Sequence, residues 1–99
     1  MLTEDYVKIA INCLEEKKAQ DIKTLKVKGL TILYDYIIIC STTNTTHVKS
    51  LTLELEEVLK KNNKNIKNIE ADLNSTWVIL DCEDFVVNVF LSQQENFTI

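Results

Sequence analysis

The stretch from Thr76 to Phe90, TWVILDCEDFVVNVF, constrains the fold more than any other. Two runs rich in β-branched and aromatic residues, Trp77–Leu80 and Phe85–Phe90, flank the polar residues Asp81, Cys82, Glu83 and Asp84. A strand, a tight connection and a second strand read most simply as an antiparallel hairpin. Side chains alternate between the two faces of a strand. Trp77, Ile79 and Asp81 therefore oppose Val78 and Leu80, and Phe85, Val87 and Val89 oppose Val86, Asn88 and Phe90. One set belongs to a core. The other mixes apolar and polar groups and suits a surface that meets a partner.

A hairpin needs more strands or a helix layer to be stable, and the rest of the chain supplies both. Thr3 is placed to cap a helix whose first turn holds Glu4 and Asp5, where the dipole favours acids. Tyr6, Ile9, Ala10, Cys13 and Leu14 follow at helical spacing, so a first helix is predicted over about Thr3–Lys18. Ile22–Val27 reads as a strand near an edge, where Lys23 and Lys26 discourage further pairing. Lys28-Gly29 makes a turn in which glycine takes positive φ. Leu30–Leu33 is a short connector. Asp35–Ser41 is apolar at both alternating sets, which predicts a central strand covered on both faces.

Thr42, Thr43, Asn44 and Thr45 form a polar loop with several candidate caps, and a second helix follows to about Lys61. Val48, Leu51, Leu55, Val58 and Leu59 form its apolar stripe. Asn62–Asn65 is a turn and Ile66–Glu70 a short strand. Ser92-Gln93-Gln94-Glu95 fits a capping box and predicts a short last helix. The order α-β-β-α-β-β-β-α predicts an α/β (α+β) fold with a mixed sheet of about five strands packed by two long helices. At 99 residues the chain has the length of a single domain, spanning 1–99.

Charge narrows the partner. All 11 basic residues are lysines, and all lie between Lys8 and Lys67. Asn68–Ile99 carries six acids and no base, so this last third holds a charge of −6 and the remainder +2. Nucleic-acid binders present a basic stripe, usually with arginines that fork to phosphate or base. With no arginine and an acidic end, direct nucleic-acid binding is disfavoured and a basic protein partner is favoured. Cys13, Cys40 and Cys82 are odd in number and widely spaced, which reads as free, buried thiols. With His47 the only histidine, no metal site is expected and no cofactor. No apolar run reaches the roughly 18–20 residues that span a membrane. The start MLTEDYVK lacks the regions of a signal peptide. These features point to a cytoplasmic protein without a membrane partner.

Candidate chemistry is sparse. Asp81, Glu83 and Asp84 could hold a divalent cation, but acids are also ordinary turn residues. The single glycine is badly placed for a phosphate loop. His47 reads as a solvated residue near the start of the second helix, and Cys40 as core packing. Trp77 suits an interface anchor and a core position equally.

The ordered motifs resemble the ribosomal silencing factor family (RsfS, also called Iojap). They are Lys17-Lys18-Ala19-Gln20-Asp21-Ile22, Leu25 and Val27, Gly29-Leu30, Asp35–Ser41, Thr46-His47-Val48-Lys49, Trp77–Asp81 and Val86–Phe90. No one of these is specific, but their order and spacing cover about Tyr6–Phe90. The resemblance implies a nucleotidyltransferase-like topology without enzyme activity. It also implies binding to large-subunit ribosomal protein fourteen on the large ribosomal subunit, steric blocking of subunit joining, and repression of translation when nutrients are scarce. Members are often homodimers. Trp77, Asp81, Asp84, Phe85, Asn88 and Phe90 are the expected partner-binding residues, followed by Asp35, Tyr36 and Lys49. Because Phe85 and Asn88 alternate, one of the two subsets must be core. The family usually has histidine where Asn88 stands, and its tail continues past an aromatic pair, of which Phe97 matches the first. The competing reading is a magnesium-dependent nucleotidyltransferase-like enzyme using Asp81 and Asp84.

Overall fold

A computed structural model describes residues 1–92. The elements in chain order are α1 (Thr3–Glu16), β1 (Gln20–Lys26), β2 (Tyr36–Thr42), α2 (Thr45–Lys61), β3 (Asn68–Ala71), β4 (Trp77–Asp81) and β5 (Phe85–Leu91). The five strands form one sheet in the order β1-β2-β5-β4-β3. β2 and β5 are parallel, and the other three pairings are antiparallel. The expected mixed sheet and two long helices are present. The short helix expected after Ser92 lies outside the described residues.

Both helices pack on the same side of the sheet. Ile38 and Cys40 of β2, Val78 and Leu80 of β4, and Phe85, Val87 and Val89 of β5 form one buried cluster with Val7, Ala10 and Leu14 of α1 and Leu51, Leu55 and Leu59 of α2. Burying each such aliphatic side chain contributes about 1.5–3 kcal/mol. Among the described residues no helix packs on the other face of the sheet. No described helix covers the second face of β2, where its double apolar alternation suggested full coverage. Ile38 and Cys40 are buried, while Ile37 and Ile39 on the opposite face are only half-buried.

The helix ends have local causes. Leu2, not Thr3, is the N-cap of α1; its N–H donates to the Asp5 carboxylate at 2.8 Å. Thr3 is the first helical residue, and its hydroxyl donates instead to Asp84 at 2.9 Å. α1 stops at Glu16, two residues before Lys18, because Lys18 enters the left-handed region at φ 66°. The Ala19 N–H then donates to the Leu14 carbonyl at 2.9 Å and the Lys18 N–H to Glu15 at 3.1 Å, a Schellman closure. α2 ends in the same way: Asn63 takes φ 65°, and the Lys64 N–H donates to Leu59 at 2.8 Å. At its start, Asn44 is the cap that accepts from the His47 N–H at 2.7 Å.

Two further details depart from the sequence reading. β1 begins at Gln20, earlier than Ile22, and carries an irregularity between Gln20 and Lys23 where Asp21 has φ 50°. That irregularity and the lysines blunt this edge. His47 is not a freely solvated residue. Its Nε2–H donates to the Lys17 carbonyl at 2.7 Å, and its Nδ1 meets the Thr42 hydroxyl. The tautomer follows from the partners, since a carbonyl only accepts. The ring ties the end of α1 to the end of β2.

Candidate functional site: the open face of the sheet

Strand register maps the uncovered face residue by residue. Directly paired residues share a face. Lys23 and Leu25 of β1 therefore lie beside Ile39 and Ile37 of β2, which lie beside Asn88 and Val86 of β5. Next come Ile79 and Asp81 of β4, then Glu70 and Asn68 of β3. At one end of the face Trp77 stands opposite Phe90. The centre is aliphatic, and Glu70 and Asp81 make the β3–β4 side acidic. Lys23 is the cation on the β1 side.

Trp77 is 40% exposed and Phe90 42%. Of the two roles open to Trp77 on sequence grounds, the structure places it at the surface. The Leu91 N–H donates to the Thr76 carbonyl at 2.7 Å, so the next pair along, Trp77 and Phe90, is a non-hydrogen-bonded one. Side chains approach most closely in such pairs. Register therefore sets the two exposed aromatic residues side by side at this end of the face. Large exposed apolar patches with polar rims mark interaction sites.

At the other end of the face, Tyr34 reaches from the β1–β2 loop across the start of β5. Its hydroxyl donates to Asp81 Oδ2 at 3.2 Å. Partial burial first, then the charge and hydrogen bond of Asp81, push the Tyr34 phenol above its ordinary pKa. Asp81 Oδ1 accepts the Glu83 N–H at 2.9 Å, which steadies the β4–β5 turn, where Glu83 takes φ 73°. Asn88 stands half-buried in mid-face and its amide reaches the Ile38 carbonyl at 3.4 Å.

The expected site residues divide between two sides. Trp77, Asp81, Asn88 and Phe90 share the open face. Phe85 does not: it is fully buried against the helices, in the core. Asp84 lies apart from these four: its carboxylate accepts from Thr3 and pairs with Lys64 Nζ at 3.3 Å. That ammonium sits 5.3 Å from the Tyr6 ring centre and 5.9 Å from that of Phe85, on the helix side. Tyr36 too faces the helices, and its hydroxyl donates to Glu4 at 3.1 Å. The Asp35 backbone N–H donates to the Asp84 carbonyl at 2.7 Å and its carbonyl accepts from Val27 at 2.8 Å. Asp35 is a brace between loops. Lys49 lies on α2 beside a groove lined by Leu53, Ile69 and Val78, away from the open face.

Asp81 and Asp84, the pair an enzyme would use, thus serve opposite sides of the sheet. Among the described residues no three His, Cys, Asp or Glu side chains group as metal ligands. No helix among them is long and apolar enough to cross a membrane. Sequence reasoning missed Tyr34, Ile37, Ile39 and Leu25 as open-face residues. The signal was the double alternation of β2, which equally fits a strand buried on both faces.

Residues 2–97 match the family described as "Ribosomal silencing factor during starvation". The chain is 30% identical over 90 residues to the ribosomal silencing factor RsfS of Halalkalibacterium halodurans, covering 91% of this chain and 77% of that one. It is 28% identical over 97 residues to RsfS of Bacillus subtilis, covering 98% and 82%. A Chromobacterium violaceum crystal structure superposes with a TM-score of 0.87 at 32% identity, covering 92% of this chain and 76% of the other. A family match over nearly all of the sequence and the same fold in a recognisable relative lead to one conclusion: this chain belongs to the ribosomal silencing factor (RsfS/Iojap) family.

Proposed function

We propose that this protein silences ribosomes by docking the open face of its sheet on the large ribosomal subunit, where its partner is large-subunit ribosomal protein fourteen. The observation that carries the reading is the uncovered, aromatic face in a family of ribosomal silencing factors. Trp77 and Phe90 supply rigid anchors of the kind that dominate interface energetics. Glu70 and Asp81 offer negative charge to a basic ribosomal protein, which raises the association rate and selects the partner. With the sheet docked, the helix layer projects outward from the large subunit. That layer, about 10 Å thick, occludes the small subunit by volume and requires no turnover. The result is repression of translation when nutrients are scarce. We place this action in the cytoplasm and assign it to one domain comprising the whole chain.

Sedimentation of purified subunits with and without the protein, at two salt concentrations, tests the proposal. Co-migration with the large subunit, fewer joined particles and weaker binding in high salt are expected. Protein remaining at the top of the gradient at both salts overturns it. Calorimetry with magnesium and each nucleoside triphosphate should give no binding heat; a saturable heat would instead favour an enzyme.

A further inference from the structure

We propose that Asp72 is the positioning residue of the docking face: its carboxylate closes the β3–β4 turn onto Trp77 and holds that indole where the partner meets it. The proposal rests on the docking reading above.

The geometry centres on the backbone at Thr76 and Trp77. In a regular antiparallel ladder a hydrogen-bonded pair exchanges two backbone bonds. Asp72 and Trp77 make one of them, the Asp72 N–H donating to the Trp77 carbonyl at 3.4 Å. In place of the other, the Asp72 carbonyl accepts from the Ser75 N–H at 3.2 Å, in a turn where Ser75 has φ 57°. The side chain replaces the second ladder bond. Asp72 Oδ1 accepts the Trp77 N–H at 3.2 Å and the Thr76 N–H at 2.5 Å. Oδ2 accepts the Thr76 hydroxyl at 2.6 Å.

Little else orders this corner on the β3 side. All four β3 residues are exposed, as are Leu73 and Asn74 in the turn, and the Trp77 ring lies outside the core. On the β5 side, Thr76 is held by the Leu91 N–H. The Trp77 backbone is thus fixed between Asp72 and β5, which sets the Cα–Cβ direction from which the indole projects. The Thr76 hydroxyl bond, with the backbone bonds to Thr76 and Trp77 assisting against some desolvation, holds the Asp72 carboxyl below the ordinary aspartate pKa. The carboxylate therefore stays charged at neutral pH. A rigid anchor loses less conformational entropy when it docks.

Trp77 is the chain's single tryptophan, so its fluorescence reports the anchor directly. We would measure Trp77 anisotropy and acrylamide quenching in Asp72→Ala and Asp72→Asn, and large-subunit binding in these two, in Trp77→Ala and in the Asp72→Ala/Trp77→Ala double variant. Asp72→Ala should lower the anisotropy, raise quenching and weaken binding on the order of tenfold. Asp72→Asn keeps the oxygen that accepts the two backbone N–H groups and should restore all three readouts. The double variant should bind like Trp77→Ala alone. Should Asp72→Ala unfold, Thr76→Val removes only the hydroxyl donor and should shift the same readouts in the same direction.

Unchanged anisotropy in folded Asp72→Ala or Thr76→Val overturns the proposal. So does a loss of binding from Asp72→Ala that persists undiminished on the Trp77→Ala background, since Asp72 would then act without the tryptophan. If Trp77→Ala itself binds like the parent chain, the docking reading has failed, and the positioning role with it.

Discussion

Trp77 and Phe90 stand opposite each other on β4 and β5, on the face the helices leave bare, and each keeps about two-fifths of its surface in solvent. Neither ring is needed to fill the core. Their exposure makes them separable from stability, and that separation is the basis of the first prediction.

Trp77→Ala and Phe90→Ala should each weaken large-subunit binding by roughly 30-fold or more, the scale of an interface hot spot. Their unfolding free energies should move by no more than about 1 kcal/mol. Urea titration beside a binding titration checks both. A stability loss of core size for Trp77→Ala would mean that the indole is structural.

Phe85 should behave in the opposite way. It is fully buried between β5 and the helices. Phe85→Ala should cost about 3–5 kcal/mol, the usual penalty for emptying a buried aromatic site. In a domain of this size that is a large share of total stability. The fraction that remains folded should still bind, and circular dichroism melts will show the shift. A well-folded Phe85→Ala that cannot bind would return this residue to the interface.

Asp84 holds Lys64, whose side chain is only 12% exposed. Asp84→Lys would leave two cations over the Tyr6 and Phe85 rings and remove the acceptor for Thr3. The expected destabilisation is about 1–3 kcal/mol, typical of losing hydrogen bonds to a charged group. Asp84→Asn should cost less. Unchanged urea midpoints together with lost binding would show that Asp84 contacts the partner after all.

The three cysteines are buried. Burial pushes the thiols of Cys40 and Cys82 up to about 12 each. Reactivity needs the thiolate, so a disulfide reagent at pH 8 should label the native protein very slowly and the urea-unfolded protein at all three sites. The linked stability effect has a definite sign. The folded values lie above the unfolded one of about 8.5, so their contribution is complete below that pH and is lost as pH rises toward 12. Urea midpoints at pH 7 and pH 10 should differ in that direction, and by less in Cys40→Ala and Cys82→Ala. Rapid labelling of the native state at pH 8 would contradict the burial.

The periodicity of the chain determined its elements. Helical spacing from Tyr6 to Leu14 and from Val48 to Leu59, and alternation from Trp77 to Phe90, are local properties, and the structure keeps each with shifts of a few residues. Alternation also sorted the hairpin into two subsets: Trp77, Asp81, Asn88 and Phe90 against Phe85. Period two separates faces but carries no sign. Only the packing of both helices on one side decided that the Phe85 face is the core and that the Trp77 face carries no described helix.

The same reason explains β2, whose two apolar faces promised full coverage. Coverage depends on where distant helices settle, and strand composition does not record that. Asp84 and His47 show the limit most plainly. Their partners, Lys64 and Lys17, lie 20 and 30 residues away. Chain reversals at Asn63 and Lys18 bring those partners close, and such distances are not contained in any local pattern.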